Sequence, residues 1–118
     1  MQYAIIVYET QDGFAARSDE AKGPAYWQAY KAYGEALRQA GVIVGGAALQ
    51  PDHAGTTIRL RDGERLVQDG PYADTKEQLG GFYLIEVEDL DAALDWAARC
   101  PGAANGAVEV RPVLPMYS

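Results

Sequence analysis

The sequence predicts an α+β fold, and three features lead to this prediction. Short runs rich in β-branched and aromatic residues alternate with longer stretches whose apolar residues recur every three or four positions. The 118 residues, with an apolar share of 48% and a charged share of 23%, are typical of one globular domain. With residues 51–79 set aside, the patterns follow the order strand, helix, strand, strand, helix, strand.

The first predicted strand covers about residues 2–9, where β-branched and aromatic side chains are concentrated. This opening has neither a basic stretch nor a cleavage site typical of a signal peptide, and no apolar run approaches the roughly 18 residues that span a bilayer. We therefore expect a cytoplasmic protein that does not enter the membrane. Residues 10–23 are polar and contain Gly13, which predicts a loop.

The first predicted helix runs from about Pro24, a residue type favoured at the first helical position, to Ala40. Gly41 follows as the expected C-cap. The apolar stripe of this helix has the spacing four, three, four and three, and it consists of Tyr26, Tyr30, Tyr33, Leu37 and Ala40. A second strand is predicted over residues 42–49.

Residues 51–79 are predicted to be an insertion within a single domain that covers residues 1–118. Two short strands, over residues 56–61 and 64–68, flank the dipeptide Asp62-Gly63, which is a strong hairpin signal. The tetrapeptide Asp69-Gly-Pro-Tyr72 then predicts a turn.

The last third of the chain supplies the remaining elements. Gly80-Gly81 precede a strand over residues 82–87, Asp89 is a suitable N-cap for a helix to about Ala98, and the final strand covers residues 107–113. This order is the ferredoxin-like one, an antiparallel sheet with two helices on one face. The other face would remain apolar and uncovered, so we expect two chains to pair through it as a homodimer.

Composition excludes several kinds of function. There are 17 acidic and 10 basic residues, a net charge of −7, and no basic cluster with interleaved aromatic residues, so we expect no nucleic-acid binding. Cys100, the single cysteine, is predicted near a helix C-terminus, where the dipole disfavours a reactive thiolate. One histidine, one cysteine and the absence of any spaced carboxylate cluster predict no metal, and the lack of a glycine-rich phosphate motif predicts no nucleotide or flavin cofactor.

The clearest motif is DGPYADTKEQLGGFYLIE, over residues 69–86. It closely resembles the signature of the YCII-related family, in the branch named for the tetrapeptide DGPF. Residues 1–8, 48–50, 54–59 and 108–113 resemble the family as well, so the likeness runs almost end to end. The resemblance implies a dimeric α+β barrel of two ferredoxin-like subunits, within a wider group that includes small-molecule monooxygenases and lactone isomerases.

The chain departs from the family pattern in three places. Tyr72 replaces the phenylalanine of the tetrapeptide, and Asp74 stands where glutamate is common. Relatives of the YCII type have a proposed catalytic His–Asp pair with its histidine on the first helix, a place that falls on Tyr30 here. That mechanism therefore cannot be carried over to this chain.

The segment that follows the hairpin holds most of the candidate site residues. Asp69 would act as a general base in a dry cleft, or it would accept hydrogen bonds from its own turn. Lys76 would hold an anionic group of a ligand beside the Thr75 hydroxyl, or it would form an exposed pair with Glu77. Tyr72 completes this set of candidate ligand contacts.

Two further candidates lie outside that segment. Tyr30 either packs its ring on the sheet or directs its phenol into a pocket, where it would orient a ligand rather than act as a base. His53, the single histidine, is a ligand contact or an exposed loop residue beside Asp52.

Two hypotheses about function follow. In the first, the protein is a dimer that binds a small molecule, with acid–base catalysis in a pocket between the first helix and the loop of residues 69–78. In the second, it is a non-catalytic regulatory partner of an extracytoplasmic-function sigma factor, because members of the DGPF branch are often encoded beside such factors.

Overall fold

The computed structural model describes residues 1–116. Four of its strands form an antiparallel sheet in the order β2-β5-β1-β6, which confirms the ferredoxin-like arrangement, and β3 and β4 form a separate two-stranded sheet. The elements in chain order are β1 (Gln2–Thr10), α1 (Gln11–Ala16), α2 (Gly23–Gln39), β2 (Ile43–Ala48), β3 (Thr56–Arg61), β4 (Glu64–Asp69), β5 (Glu77–Glu86), α3 (Leu90–Ala98), α4 (Gly102–Asn105) and β6 (Ala107–Pro112).

The core lies between one face of the four-stranded sheet and the helices. Side chains alternate along β1, so that every second residue is buried on this face, beginning with Tyr3. Full burial of a large aliphatic side chain stabilises the fold by about 1.5–3 kcal/mol. The buried cluster consists of Tyr3, Ile5, Val7, Tyr33, Leu37, Ile85, Ala93, Ala97 and Cys100.

The long helices form where the sequence predicts them. Helix α2 has Pro24 in its first turn, and Gly41 follows it with φ of 72°, a conformation that glycine adopts without steric cost. Helix α3 begins after Asp89, whose carboxylate accepts a hydrogen bond of 2.9 Å from the Ala92 amide. No helix among residues 1–116 has both the length and the apolarity that a membrane crossing requires.

The predicted loop over residues 10–23 is wrong in its first half, because α1 occupies residues 11–16. The Thr10 hydroxyl accepts a hydrogen bond of 3.1 Å from the Gly13 amide and so caps this helix. Phe14 is only 4% exposed, and its burial holds the short helix against the sheet. Cap and burial together outweigh the low helix propensity of Gly13.

Strand β5 begins at Glu77, five residues before the predicted start at Phe82. Gly80 and Gly81 belong to the strand because the sheet requires small residues here. A Cβ atom at Gly81 would lie 2.8 Å from the Ala47 carbonyl oxygen, and the register against β1 shifts at this level, between Val7 and Tyr8. Gly81 therefore permits close pairing with β2 instead of interrupting the sheet, and Gly80 leaves room for the Glu9 and Arg17 side chains.

Strands β3 and β4 form the predicted hairpin, here called the arm. Asp62 and Gly63 at its tip both have positive φ, 52° and 79°, which is typical of the two-residue type I′ turn. Thr57 is half-buried, and all the other residues of the two strands are exposed. At the base of the arm, the Gly70 amide donates a hydrogen bond of 2.7 Å to the Gly55 carbonyl oxygen.

Candidate functional site

The candidate site begins with a charged residue on the core-facing side of β1. The buried positions of this strand are Tyr3, Ile5, Val7 and then Glu9, which is only 5% exposed. A buried carboxylate requires hydrogen-bond donors or a cation to compensate for its lost hydration. The neighbours of Glu9 supply both.

Two phenols from α2 bind one oxygen of the Glu9 carboxylate. Tyr26 and Tyr30 are four residues apart, so their side chains lie on one face of the helix, with ring centroids 5.0 Å apart. The Tyr30 hydroxyl donates to Glu9 Oε1 at 3.3 Å, and the Tyr26 hydroxyl donates to the same oxygen at closer range.

Arg17 balances the charge of Glu9. Its side chain is 10% exposed, and its Nη2 atom lies 3.3 Å from Glu9 Oε2. The guanidinium also donates to the Tyr26 hydroxyl at 3.0 Å, to the Gly80 carbonyl at 3.0 Å and to the Leu49 carbonyl. Since its donors are used in fixed directions, Arg17 is an anchor that positions Glu9 and Tyr26.

Aromatic rings enclose the same guanidinium. Its central carbon lies 5.0 Å from the ring centroid of Phe14 and 5.6 Å from that of Trp27. The Trp27 indole in turn donates a hydrogen bond of 3.0 Å to the Arg17 carbonyl oxygen. Helix α1, by burying Phe14, thus sets the position of the arginine that follows it.

The second oxygen of the Glu9 carboxylate, Oε2, is buried and accepts no hydrogen bond from residues 1–116. It lies beside Arg17 Nη2, and a Cβ atom at Gly80 would be 3.2 Å from the carboxylate carbon. Oε2 therefore faces the Arg17 guanidinium, while Oε1 faces the two phenols of α2. A buried acceptor without a donor is costly, and such an atom is a candidate contact for a ligand.

A cavity of about 420 Å³ lies beside Glu9, between α2 and the strands β2 and β5, and is here called the α2–β2 cavity. Aromatic rings and the backbone of small residues form its walls. The lining residues are Val7, Glu9, Arg17, Tyr26, Trp27, Tyr30, Arg38, Ile43, Gly45, Gly46, Ala47, Ala48, Gly80, Gly81, Phe82 and Tyr83. This is the mixture of apolar walls and few polar groups typical of small-molecule sites.

Glycines keep this cavity open. A Cβ atom at Gly45 would meet no other atom within 4 Å, so its absence leaves free volume. A Cβ atom at Gly80 would lie 3.1 Å from Glu9 Cγ and 3.3 Å from Arg17 Nη2, so a larger residue there would displace the ion pair.

A second cavity of about 630 Å³, here called the α1–α4 cavity, lies on the other side of the cluster. Glu9, Tyr26 and Tyr30 line both cavities and so separate them. Thr10, Asp12, Lys22 and Asn105 also line the α1–α4 cavity, which makes it the more polar of the two. The polar residues of the α1–α4 cavity therefore approach Glu9 from a side that a ligand in the α2–β2 cavity does not occupy.

The phenols near Glu9 remain protonated over a wide pH range. Burial raises the pKa of Tyr30 and of Tyr26 well above that of an ordinary phenol, and for Tyr26 the hydrogen bond to Glu9 raises it further. Burial also raises the pKa of the Cys100 thiol. The two tyrosines therefore act as hydrogen-bond donors, and a thiolate at Cys100 is disfavoured.

Of the residues that the sequence suggested for the site, Tyr30 lies at the cluster. Asp69 ends β4 opposite Thr56, and its carboxylate accepts no hydrogen bond from the described residues, so it does not cap its own turn. Tyr72 is 73% exposed, with the Arg59 guanidinium 4.7 Å from its ring centroid. Neither Asp69 nor Tyr72 lines either of the two cavities.

The other suggested residues also lie outside both cavities. Thr75, Lys76 and Glu77 are exposed, and the Thr75 hydroxyl donates to the Glu77 carbonyl. His53 is an exposed residue of a single 3-10 turn. Within one chain, Asp69 and Lys76 therefore do not share either cavity with Tyr30. No group of three potential metal ligands occurs among residues 1–116.

Sequence reasoning missed Glu9, Arg17 and the role of Tyr26. The signal for Glu9 was present, because it continues the series of inward positions that begins with Tyr3 on an otherwise apolar strand face. Arg17 carried no comparable signal, since its part of the chain was expected to be a loop.

Comparison with known proteins supports the family and the fold. The model of the YCII-related domain matches residues 1–117. An uncharacterized protein of Rhizobium meliloti (strain 1021) is 39% identical over 115 residues, which cover 96% of this chain and 92% of that protein. A solved structure of 5-chloro-2-hydroxyhydroquinone dehydrochlorinase from Burkholderia phenoliruptrix AC1100, in complex with 2,5-dihydroxybenzoquinone, has a TM-score of 0.56 at 19% identity and covers 97% of this chain and 94% of its own. At that identity the structural likeness concerns the fold alone.

Proposed function

Because the chain belongs to the YCII-related family, we propose that it binds a small hydroxylated organic molecule in the α2–β2 cavity and exchanges a proton with it through Glu9. The observation that carries this proposal is the buried Oε2 atom of Glu9, a residue that lines that cavity, because this atom accepts no hydrogen bond from residues 1–116. A hydroxyl group of a ligand would satisfy it.

The proton exchange uses groups that are already oriented. The hydrogen bonds from Tyr26 and Tyr30 hold Oε1, so Oε2, which faces Arg17 but accepts no hydrogen bond from residues 1–116, is the oxygen that accepts a proton from a ligand O–H group, while the electron pair of that bond stays on the ligand oxygen. Arg17 stabilises negative charge at this end of the cavity. The proton then returns to another atom of the ligand or leaves through the α1–α4 cavity.

A hydroxylated ring suits the walls of the cavity. Trp27 and Tyr83 present aromatic surface, and Gly45 leaves room beside it. The structural relative from Burkholderia was solved with a dihydroxylated quinone, which is a compound of this class. In this proposal Glu9 takes the role of base that the sequence suggested for Asp69, and Tyr30 keeps its orienting role.

The proposal includes a homodimer, which the uncovered face of the sheet supports. The register of β1 against β5 puts Ala4, Ile6, Phe82 and Leu84 on the face opposite the buried cluster. An apolar sheet face of this kind is covered when a second copy packs on it. Light scattering should give twice the chain mass of 12.8 kDa, and Ile6→Arg should give the monomer mass.

Binding is tested with two neutral probes that differ by one hydroxyl group, 3-(4-hydroxyphenyl)propionamide and 3-phenylpropionamide. Amide resonances of the cavity glycines report binding in a nitrogen–proton NMR titration, with Gly63 at the tip of the arm as an internal control. The hydroxylated probe should bind at least about tenfold more tightly, because Glu9 Oε2 otherwise accepts no hydrogen bond.

The decisive variant is Glu9→Gln, which keeps the shape of the side chain and an oxygen for the two phenols. It presents an N–H donor where Oε2 stood, and a neutral hydrogen bond from this group to the probe oxygen is weaker than one from the probe O–H to a carboxylate, so the advantage of the hydroxylated probe should fall well below tenfold. Asp69→Asn is the matched control and should leave both affinities unchanged. An unchanged preference in Glu9→Gln would remove Glu9 from the site, whereas the alternative of a non-catalytic sigma-factor partner predicts that neither probe binds to the unaltered protein.

A further inference from the structure

We propose that the α2–β2 cavity selects ligands that carry a hydroxyl group at one end and a carboxylate at the other, with Arg38 binding the carboxylate. This inference rests on the proposed function, because it takes Glu9 as the contact for the hydroxyl group. It adds that the ligand is negatively charged and long enough to reach from Glu9 to Arg38.

The lining of the cavity extends along α2, and its two ends differ. Trp27 and Arg38 both line it, and their separation of eleven positions along the helix corresponds to about 16 Å. Strand β2, from Ile43 to Ala48, lines it over about 16 Å as well. The buried Glu9 cluster lines one end, and Arg38, whose side chain is 64% exposed, lines the other.

Arg38 is available to a ligand, whereas Arg17 is not. Arg17 is held by an ion pair and by hydrogen bonds to Tyr26 and two backbone carbonyls. Arg38 has a side chain that is 64% exposed, and its ion-pair partner Glu35 is 50% exposed. An exposed pair of this kind contributes little stability, so a ligand carboxylate can replace Glu35 at small cost.

The charge of the lining also favours an anion. The chain as a whole has 17 acidic and 10 basic residues, yet the charged residues that line this cavity are two arginines and Glu9. Glu9 is paired with Arg17, and Arg38 is paired with Glu35, which does not line the cavity. A ligand carboxylate that displaces Glu35 from Arg38 orients the ligand with its neutral end towards Glu9.

The ligand class follows from the two ends and the middle. The inner end accepts an O–H group, the outer end binds a carboxylate, and the glycine and aromatic walls between them fit a flat ring. A hydroxylated aromatic acid with a short side chain meets these requirements. The probe acid is 3-(4-hydroxyphenyl)propionate, and its amide has nearly the same shape without the charge.

The experiment measures the affinities of the acid and of the amide by the same NMR titration of cavity glycines. In the unaltered protein the acid should bind about fivefold more tightly than the amide, as expected for one partly exposed ion pair. In Arg38→Gln the two affinities should become equal, while the affinity for the amide stays the same. Lys31→Gln is the matched control, since this exposed lysine is on the same helix and does not line the cavity, and it should preserve the preference.

A second variant tests the exchange of partners. Glu35→Gln removes the carboxylate that competes for Arg38, so the acid should bind about twofold more tightly than it binds to the unaltered protein. Raising the salt concentration should reduce the preference for the acid, because the outer end is open to solvent.

The outcomes separate the two proposals. If the acid and the amide bind equally to the unaltered protein, or if the preference survives in Arg38→Gln, the inference about Arg38 is overturned while the hydroxyl site stands. If neither compound shifts the cavity glycines, the proposed function itself fails.

Discussion

The helix-covered sheet and the arm differ in how far their side chains are buried. On β1 every second side chain is buried, and the series ends in a buried glutamate that is held by an arginine and two tyrosines. On β3 and β4 every residue except Thr57 is exposed, although this part of the chain leads into the most conspicuous sequence motif. The motif at residues 69–72 thus accompanies a turn beside an exposed arm, whereas the proposed site lies where a charge is buried.

The largest expected difference between the two regions comes from one kind of substitution made in both. Glu9→Leu leaves the Arg17 guanidinium buried without its counter-charge and should lower the free energy of unfolding by about 3–5 kcal/mol. Glu64→Leu, on the exposed arm, should change it by less than about 0.5 kcal/mol. Urea unfolding measures both, and equal effects would mean that the Glu9–Arg17 pair is not a buried one.

A smaller effect is expected from crowding the cluster. A Cβ atom at Gly102 would lie 2.7 Å from Val7 Cγ1 and 2.9 Å from the Tyr30 hydroxyl oxygen, so Gly102→Ala should cost about 1–3 kcal/mol. A Cβ atom at Gly34 on α2 would meet no atom within 4 Å, so Gly34→Ala should stabilise the fold by about 0.5–1 kcal/mol. If thermal unfolding shows that Gly102→Ala lowers stability while Gly34→Ala raises it, the packing around Tyr30 is supported. Stability changes of the same sign in the two variants would contradict it.

Alkaline pH should destabilise the helix-covered side of the sheet. Burial raises the pKa of Tyr83 to about 12 and raises the pKa of Tyr26, Tyr30 and Tyr33 further. The folded state therefore binds more protons than the unfolded state above about pH 10, so stability is complete below that pH and falls as the pH rises.

The slope of the free energy of unfolding against pH identifies the tyrosines involved. Each such tyrosine should lower the free energy of unfolding by about 1.4 kcal/mol per pH unit in this range. Tyr30→Phe should reduce the slope by one such contribution between about pH 10 and 11. An unchanged slope in urea unfolding would mean that the Tyr30 phenol titrates alike in both states.

Most of the fold could be predicted because its signals are local. The stripe of α2, the Asp89 cap and the turn at Asp62-Gly63 each depend on a few neighbouring residues, and the structure confirms the cap, the turn and the stripe from Tyr26 to Leu37. The prediction is wrong for Ala40, the last residue of the predicted stripe, because it is exposed and lies just after the helix. Helix α1 was missed because its stability comes from the burial of Phe14 against the sheet, which composition does not reveal. Gly80-Gly81 appeared to precede a strand, since their close pairing partner is distant in sequence.

The candidate site was harder to predict for the same reason. Tyr30 was selected from its place on the helix, and it does reach the buried carboxylate. The carboxylate itself belongs to Glu9, which Arg17 stabilises from a segment that has no pattern of its own. Only the alternation along β1 indicated that Glu9 faces inward, and this clue lay at the end of a strand, where predicted boundaries are least certain.

The most direct test of the account is a crystal structure of the protein with 3-(4-hydroxyphenyl)propionamide. We expect the ring between α2 and β2, with the probe hydroxyl group within hydrogen-bond distance of Glu9 Oε2 and the Tyr26 and Tyr30 phenols still bound to Oε1. A probe bound instead at residues 69–78 beside the arm, with Oε2 still accepting no hydrogen bond, would contradict the proposed site.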